Sequence, residues 1–201
     1  MLQDPYRHLF FEANAASHRV RGASAGLNWP DNAICELINP GLGSRLLVAG
    51  LTAPEILPSL RLRLGLTGQL VIVDSSEEAL SGVSKNDAFW AVVLKANAEK
   101  LPIMDSSLDA VLCWSSFMGL GPLDQITNEF FRVLAPGGKV FITYSGPASP
   151  ERPRPCLLGL QTLFLKSGFS RLDSDTGEDF FLFKAEKTHG FTVSVSQMGR
   201  A

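Results

Sequence analysis

Gln69-Leu70-Val71-Ile72-Val73-Asp74 is apolar from Leu70 to Val73 and stops at a carboxylate. A strand with one face in water alternates apolar and polar residues. A strand apolar at every position is buried on both faces, the state of strands in a parallel sheet under helices. Outward from this run the same pattern recurs in Arg45-Leu46-Leu47-Val48-Ala49-Gly50, Trp90-Ala91-Val92-Val93-Leu94-Lys95, Leu108-Asp109-Ala110-Val111-Leu112-Cys113-Trp114 and Lys139-Val140-Phe141-Ile142-Thr143-Tyr144.

Helical segments alternate with these strands. Thr52-Ala53-Pro54-Glu55 is expected to open a helix, with Thr52 capping free amides and Pro54 tolerated in the first turn. Ser76–Leu80 begins a second. Leu123–Leu134 forms a third, with Ile126, Phe130, Phe131, Val133 and Leu134 at helical spacing, and the turn Ala135-Pro136-Gly137-Gly138 closes it. Such alternation implies an α/β fold with a parallel sheet between two helical layers.

The ends read differently. Leu157–Ser167 is expected to be a helix closed by Gly168. Phe169–Asp173 and Phe180–Lys187 read as two strands joined at Asp175-Thr176-Gly177-Glu178, a hairpin and therefore antiparallel. One or two helices are expected within residues 3–28, and another over Asn32–Ile38 that stops at Asn39-Pro40-Gly41. The expected organisation is a helical cap or lid over 1–44, an α/β domain over 45–188 and a loose tail over 189–201.

A chain of 201 residues, 45% hydrophobic, suits one large domain. With a net charge of −2 and no stripe of Lys and Arg, nucleic acid is not the expected partner. No apolar stretch approaches the ~20 residues of a membrane span, and the N-terminus has no signal-peptide pattern. Cys35, Cys113 and Cys156 are scattered and odd in number, so neither a disulfide framework nor a metal cluster is expected. Reduced thiols and a cytoplasmic setting follow.

Parallel sheets bind ligands at the carboxyl ends of their strands. Gly50 ends the first strand, where a glycine permits close approach of a ligand or simply makes the turn. Asp74, followed by Ser75, ends the second. Its carboxylate can accept the hydroxyl protons of an adenosine ribose, or it can cap the next helix, a task Ser75 or Ser76 could take instead. In Asn97-Ala98-Glu99-Lys100-Leu101-Pro102, Asn97 can hydrogen-bond an adenine edge and the Ala98 amide a ring nitrogen. Alternatively, Asn97 forms a turn. Trp114-Ser115-Ser116-Phe117-Met118 ends the fourth strand, facing the same rim. Gly50 and Asp74 also have tolerable spacing for a nicotinamide dinucleotide site, but Gly-x-Gly-x-x-Gly is missing.

Taken in order, Val71-Ile72-Val73-Asp74-Ser75-Ser76, Asn97-Ala98-Glu99-Lys100-Leu101-Pro102, Asp105-Ser106-Ser107-Leu108-Asp109-Ala110-Val111 and Glu129-Phe130-Phe131-Arg132-Val133-Leu134-Ala135-Pro136-Gly137-Gly138-Lys139-Val140 resemble the class I methyltransferases dependent on S-adenosylmethionine (SAM), especially those like the ubiquinone and menaquinone biosynthesis enzymes. The resemblance implies a Rossmann-like three-layer sandwich, its mostly parallel seven-stranded sheet carrying the last strand inserted antiparallel. It also implies SAM as cofactor, with Asp74 on the ribose, Asn97 and Ala98 at the adenine, and Gly50, Leu51, Ser75 and Trp114 completing the pocket. Where the family carries an acid inside strand one, this chain has Val48. Where it carries a glycine-rich turn, this chain has Gly50-Leu51-Thr52-Ala53-Pro54.

The expected activity is methyl transfer to a small molecule by positioning. Tyr6 and His8 of the lid, Trp114, Ser115, Ser116 and Tyr144 are candidates for the acceptor side, and His8, Ser115 and Tyr144 are the candidates for catalysis. The alternative is a methyltransferase-like domain that has lost catalysis and serves as a partner-binding or regulatory subunit. A homodimer or a protein partner is compatible with either.

Overall fold

The computed structural model describes residues 35–36, 38–50, 54–83, 90–114, 120–145, 155–177 and 180–188. Seven strands form one sheet: β1 (Arg45–Ala49), β2 (Gln69–Asp74), β3 (Ala91–Lys95), β4 (Leu108–Trp114), β5 (Leu134–Ser145), β6 (Ser170–Thr176) and β7 (Phe180–Glu186). Their order is β3-β2-β1-β4-β5-β7-β6. The first five run parallel, while β7 lies between β5 and β6 and pairs antiparallel with both. A dinucleotide-binding Rossmann sheet instead keeps its sixth strand beside the fifth. The expected architecture, terminal hairpin included, is therefore the one observed.

Alternate residues along the central strands enter two separate cores, as the strand period requires. Leu47, Val111, Cys113, Val140 and Ile142 face α3 (Leu123–Val133) and α4 (Leu157–Lys166), packing with Phe130, Phe164 and Phe183. Phe164 lies 5.0 Å from Phe183 and 5.1 Å from Phe169, centroid to centroid. Leu46, Val48, Leu70, Ile72, Leu112 and Phe141 face the opposite way, against Leu57, Leu60 and Leu64 of α1 (Leu57–Leu64). Cys35 and Ile38 are buried in this second core, so packing against the sheet begins before residue 45. At the amino rim, Arg45 grips Asp109 through its backbone amide (2.8 Å), Nε (3.0 Å) and Nη2 (2.8 Å), tying β1 to β4.

Two local readings are corrected. The described part of the helix after β1 does not open as an α-helix. Residues 51–53 lie outside the described set, Pro54–Ile56 form a 3-10 turn, and α1 starts at Leu57. Pro58 has no amide to reach back to the carbonyl of residue 54, so the α-ladder cannot run through that point. Secondly, Ala135-Pro136-Gly137-Gly138 is not a turn between helix and strand. It is a bulge within β5, whose register against β4 passes from Leu108↔Leu134 to Ala110↔Lys139. Gly137 takes φ +84° there. Its amide donates to the Lys187 carbonyl (2.6 Å), and the Lys187 amide donates to the Gly138 carbonyl (2.9 Å), so the hairpin supplies the bonds the bulge loses. The short α2 (Glu77–Ser81) is capped by Ser76, one of the two serines expected to be able to do so, its Oγ accepting from the Ala79 amide at 3.3 Å. The helices expected within 3–28 and the tail over 189–201 lie outside the described residues. Of Asn32–Ile38, residues 35, 36 and 38 are helical, and Asn39 stops the helix at φ +37°.

Candidate functional site at the carboxyl rim

Three adjacent strands end side by side at one rim. Gly50, just past β1, donates its amide to the Val73 carbonyl at 2.8 Å, and the next carbonyl of β2, that of Asp74, accepts from Ala96 at 3.1 Å. These two bonds continue the β1–β2–β3 ladder one step beyond the strands, placing Gly50, Asp74 and the start of the Asn97 loop next to one another. Gly50 has φ +77°, in the left-handed region that costs any other L-residue about 1–2 kcal/mol. A glycine is therefore required by the turn, whatever else it permits.

Asp74 does not cap α2, since Ser76 does. One of its oxygens, Oδ1, accepts instead from the Ser76 amide at 2.7 Å, a local turn that fixes the carboxylate at the strand end. Ser75 is exposed beside it. Lys95, paired with Asp74 across β2 and β3, turns its ammonium to Glu77 at 2.9 Å. Asn97 is exposed, and its carbonyl accepts from the Lys100 amide at 3.1 Å, so the expected turn is present. Ala98 is 5% exposed, yet no described residue accepts from its amide. Buried residues almost always have their amides paired, and among the described residues this one has no acceptor.

The loop from Asn97 to Ser107 is fastened to α3 by a pair the sequence reading quoted only as part of a longer resemblance. Glu129 Oε2 accepts from the Leu101 amide at 2.9 Å. Arg132 donates to the carbonyls of Leu101 (3.0 Å) and Ile103 (2.7 Å), to Asp105 Oδ1 (2.6 Å), and to both oxygens of Glu129 (2.9 and 2.7 Å). The guanidinium holds Glu129 below the usual carboxylate range. Partial burial works against that, and the Leu101 amide adds to it. Arg132 is raised in turn, chiefly by its bonds to Glu129 and then Asp105. The signal available in the sequence was Glu and Arg three residues apart on one helical face.

Other candidates scatter. Tyr144 is 6% exposed, within the core under α3 and α4. Trp114 ends β4. Tyr6, His8, Leu51, Ser115, Ser116 and Phe117 lie outside the described residues. Among the described residues no three His, Cys, Asp or Glu side chains gather to hold a metal. None of the described helices is long and apolar enough to cross a membrane.

Residues 49–142 match the family model described as a methyltransferase domain. That span runs from the end of β1 into β5 and contains every element of the rim. Over that span the chain is similar to the class I SAM-dependent methyltransferases. It is 30% identical over 118 residues to the ubiquinone/menaquinone biosynthesis C-methyltransferase UbiE of Laribacter hongkongensis, covering 57% of this chain and 48% of that protein. It is also 32% identical over 94 residues to an anamorsin homolog of Medicago truncatula, covering 46% and 34% respectively. The chain thus spans about half, or less, of the length of these curated relatives. A SAM-dependent methyltransferase from Aquifex aeolicus superposes with a TM-score of 0.67 at 19% identity, over 79% of this chain and 89% of that one.

The family's cofactor is SAM, and the rim can be tested against it half by half. Its adenosine half fits: a fixed carboxylate at Asp74, an exposed carboxamide at Asn97 and, at Ala98, an amide with no acceptor among the described residues stand in sequence along adjacent strand ends. For the amino-acid half, β1 brings no carboxylate. Val48 is 2% exposed and points into the core against α1.

Proposed function

We propose that this chain is a SAM-dependent methyltransferase acting on a small molecule. The observation that carries the proposal is the Ala98 amide, without an acceptor among the described residues, beside Asn97 and one strand from the Asp74 carboxylate. When bound, SAM supplies a methyl group on a positively charged sulfur. The chain's own residues would bind and orient: Asp74, with Ser75 beside it, holds the ribose hydroxyls, Asn97 and the Ala98 amide read the adenine, and Gly50 lets the ligand approach the backbone. Leu51 and Trp114 are proposed to complete the pocket. The acceptor would enter beyond β4, and Ser115, Tyr144 and the lid residue His8 remain the candidates to handle a proton. Rate enhancement in such a site comes mainly from alignment and exclusion of water rather than from a strong base.

Residues 1–44 would form the lid. Removing residues 1–28 is expected to abolish turnover while leaving the sheet folded by circular dichroism, and unchanged kinetics would refute the lid. None of the three cysteines forms a disulfide, which agrees with a reducing, cytoplasmic setting. The activity is tested by incubating the protein with methyl-labelled SAM and a metabolite extract. Label is expected in the small-molecule fraction. Its appearance only in protein or nucleic acid would overturn the proposed acceptor class.

A second reading is favoured by the burial of Val48. A charged hydrogen bond missing at the amino-acid end costs about 1.5–3 kcal/mol, roughly one to two decades of affinity. If SAM affinity falls below working concentrations, what remains is a methyltransferase-like domain that binds a partner. Absence of label transfer with a stable protein complex in cells would establish that reading.

A further inference from the structure

We infer that Glu129 and Arg132 are positioning residues for base recognition: together they hold the Asn97–Leu101 segment in the one geometry that presents its polar groups to an adenine. This rests on the proposed adenosine site and names what sets its selectivity.

Among the described residues, the backbone of the segment is tied to the rest of the fold at its two ends. At its start, the Ala96 amide is bound to the Asp74 carbonyl of β2. At its finish, Leu101 is held by both of its backbone groups, the amide by Glu129 and the carbonyl by Arg132. Between them the Lys100-to-Asn97 bond closes a single turn, which carries the Asn97 carboxamide and the Ala98 amide to the rim. Rotation of the peptide groups in that turn is limited by Leu101. A guanidinium is suited to this task because its planar fork reaches several acceptors at fixed angles, which a lysine cannot do.

The pair is not needed to hold the loop on the protein. Ala98 and Leu101 are 5% and 4% exposed, anchored in the core. The amides of Ser106 and Ser107 are bound to the carbonyls of Arg132 and Val133 (2.9 and 2.8 Å), bonds that survive any change of side chain at 132. Loss of the clamp should therefore blur the turn without unfolding it. A donor amide at Ala98 faces an acceptor at adenine N1, whereas hypoxanthine presents a hydrogen there and a carbonyl in place of the amino group. Discrimination between the two bases thus reports the geometry of the turn.

The test is calorimetric titration with S-adenosylhomocysteine and S-inosylhomocysteine. The wild-type protein is expected to prefer the adenine compound by about tenfold or more, the size of one or two hydrogen bonds made against one opposed. Arg132→Lys and Glu129→Met should bring that preference close to unity while each variant still unfolds cooperatively. Asp105→Asn, which removes only the charge of an exposed partner that does not touch Leu101, should keep it. If the variants bind the adenine compound and retain the wild-type preference, the clamp has no such role and the adenosine site stands without it. If both nucleosides weaken equally, the pair is merely structural and the inference is overturned. If the wild-type protein binds neither compound at millimolar concentration, the site and the inference fall together.

Discussion

Two aspartates stand near strand ends in the sequence but act at opposite rims. Asp109 is held below the ordinary carboxylate range, first by hydrogen bonding from the Arg45 side chain, and does structural work at the amino rim. Asp74 stands at the carboxyl rim with one oxygen fixed by the Ser76 amide. Replacing Asp74 by Asn keeps that local bond while removing the charge, so it should weaken S-adenosylhomocysteine binding by about ten- to a hundredfold with little change in stability. Gly50→Ala should do the reverse as well, costing about 1–2 kcal/mol in denaturant unfolding because its φ is +77°. An unchanged midpoint would show that the turn relaxes. At this scale the sequence showed the residue types and the strand ends that carry them, but not their partners. Nothing in Asp74-Ser75-Ser76 says which side chain caps α2, because the cap depends on where the helix starts. The role of Arg132 was invisible for another reason: its acceptors are carbonyls 29 and 31 residues away, brought together only by the fold.

Elements were legible wherever the apolar period was uninterrupted. The bounds of β2 and β4 coincide with their apolar runs, since burial on both faces leaves no other pattern. The places that misled contain proline or glycine, whose local rules admit more than one solution. Pro54 and Pro58 produced a 3-10 turn before α1, and Pro136-Gly137 produced a bulge that only pairing with the Lys187 segment explains. Helix α3 matters most to the site, because one face carries Glu129 and Arg132 while the other seats Phe130 on the sheet with no exposure. Phe130→Ala should cost about 3–5 kcal/mol, read as a shift in the urea midpoint. A cost below about 1 kcal/mol would mean that α3 is not the platform described.

For the molecule as a whole, seven strands divide two cores, and β7 inserted between β5 and β6 sets the sheet apart from dinucleotide-binding relatives. Its acid stability should follow from the carboxylates its arginines hold. Asp109 and Glu129 both lie below their ordinary values when folded, so their contribution is present above the unfolded value of about 4. It is lost as pH falls through the lower folded values. The double variant Asp109→Asn, Glu129→Gln should therefore be less stable than wild type at neutral pH, with a shallower loss between about pH 4 and 2. Parallel curves would contradict this. The global fold was readable from strand order and the closing hairpin. The ligand end of the site was less so, because one half of it depends on what stands where the family's acid is missing. The decisive measurement is direct titration of the purified wild-type protein with S-adenosylhomocysteine. Micromolar binding, sharply weakened in Asp74→Asn, is the predicted result. Absence of heat at millimolar nucleoside, or equal affinity in the two proteins, would contradict the assignment of this rim as an adenosine site.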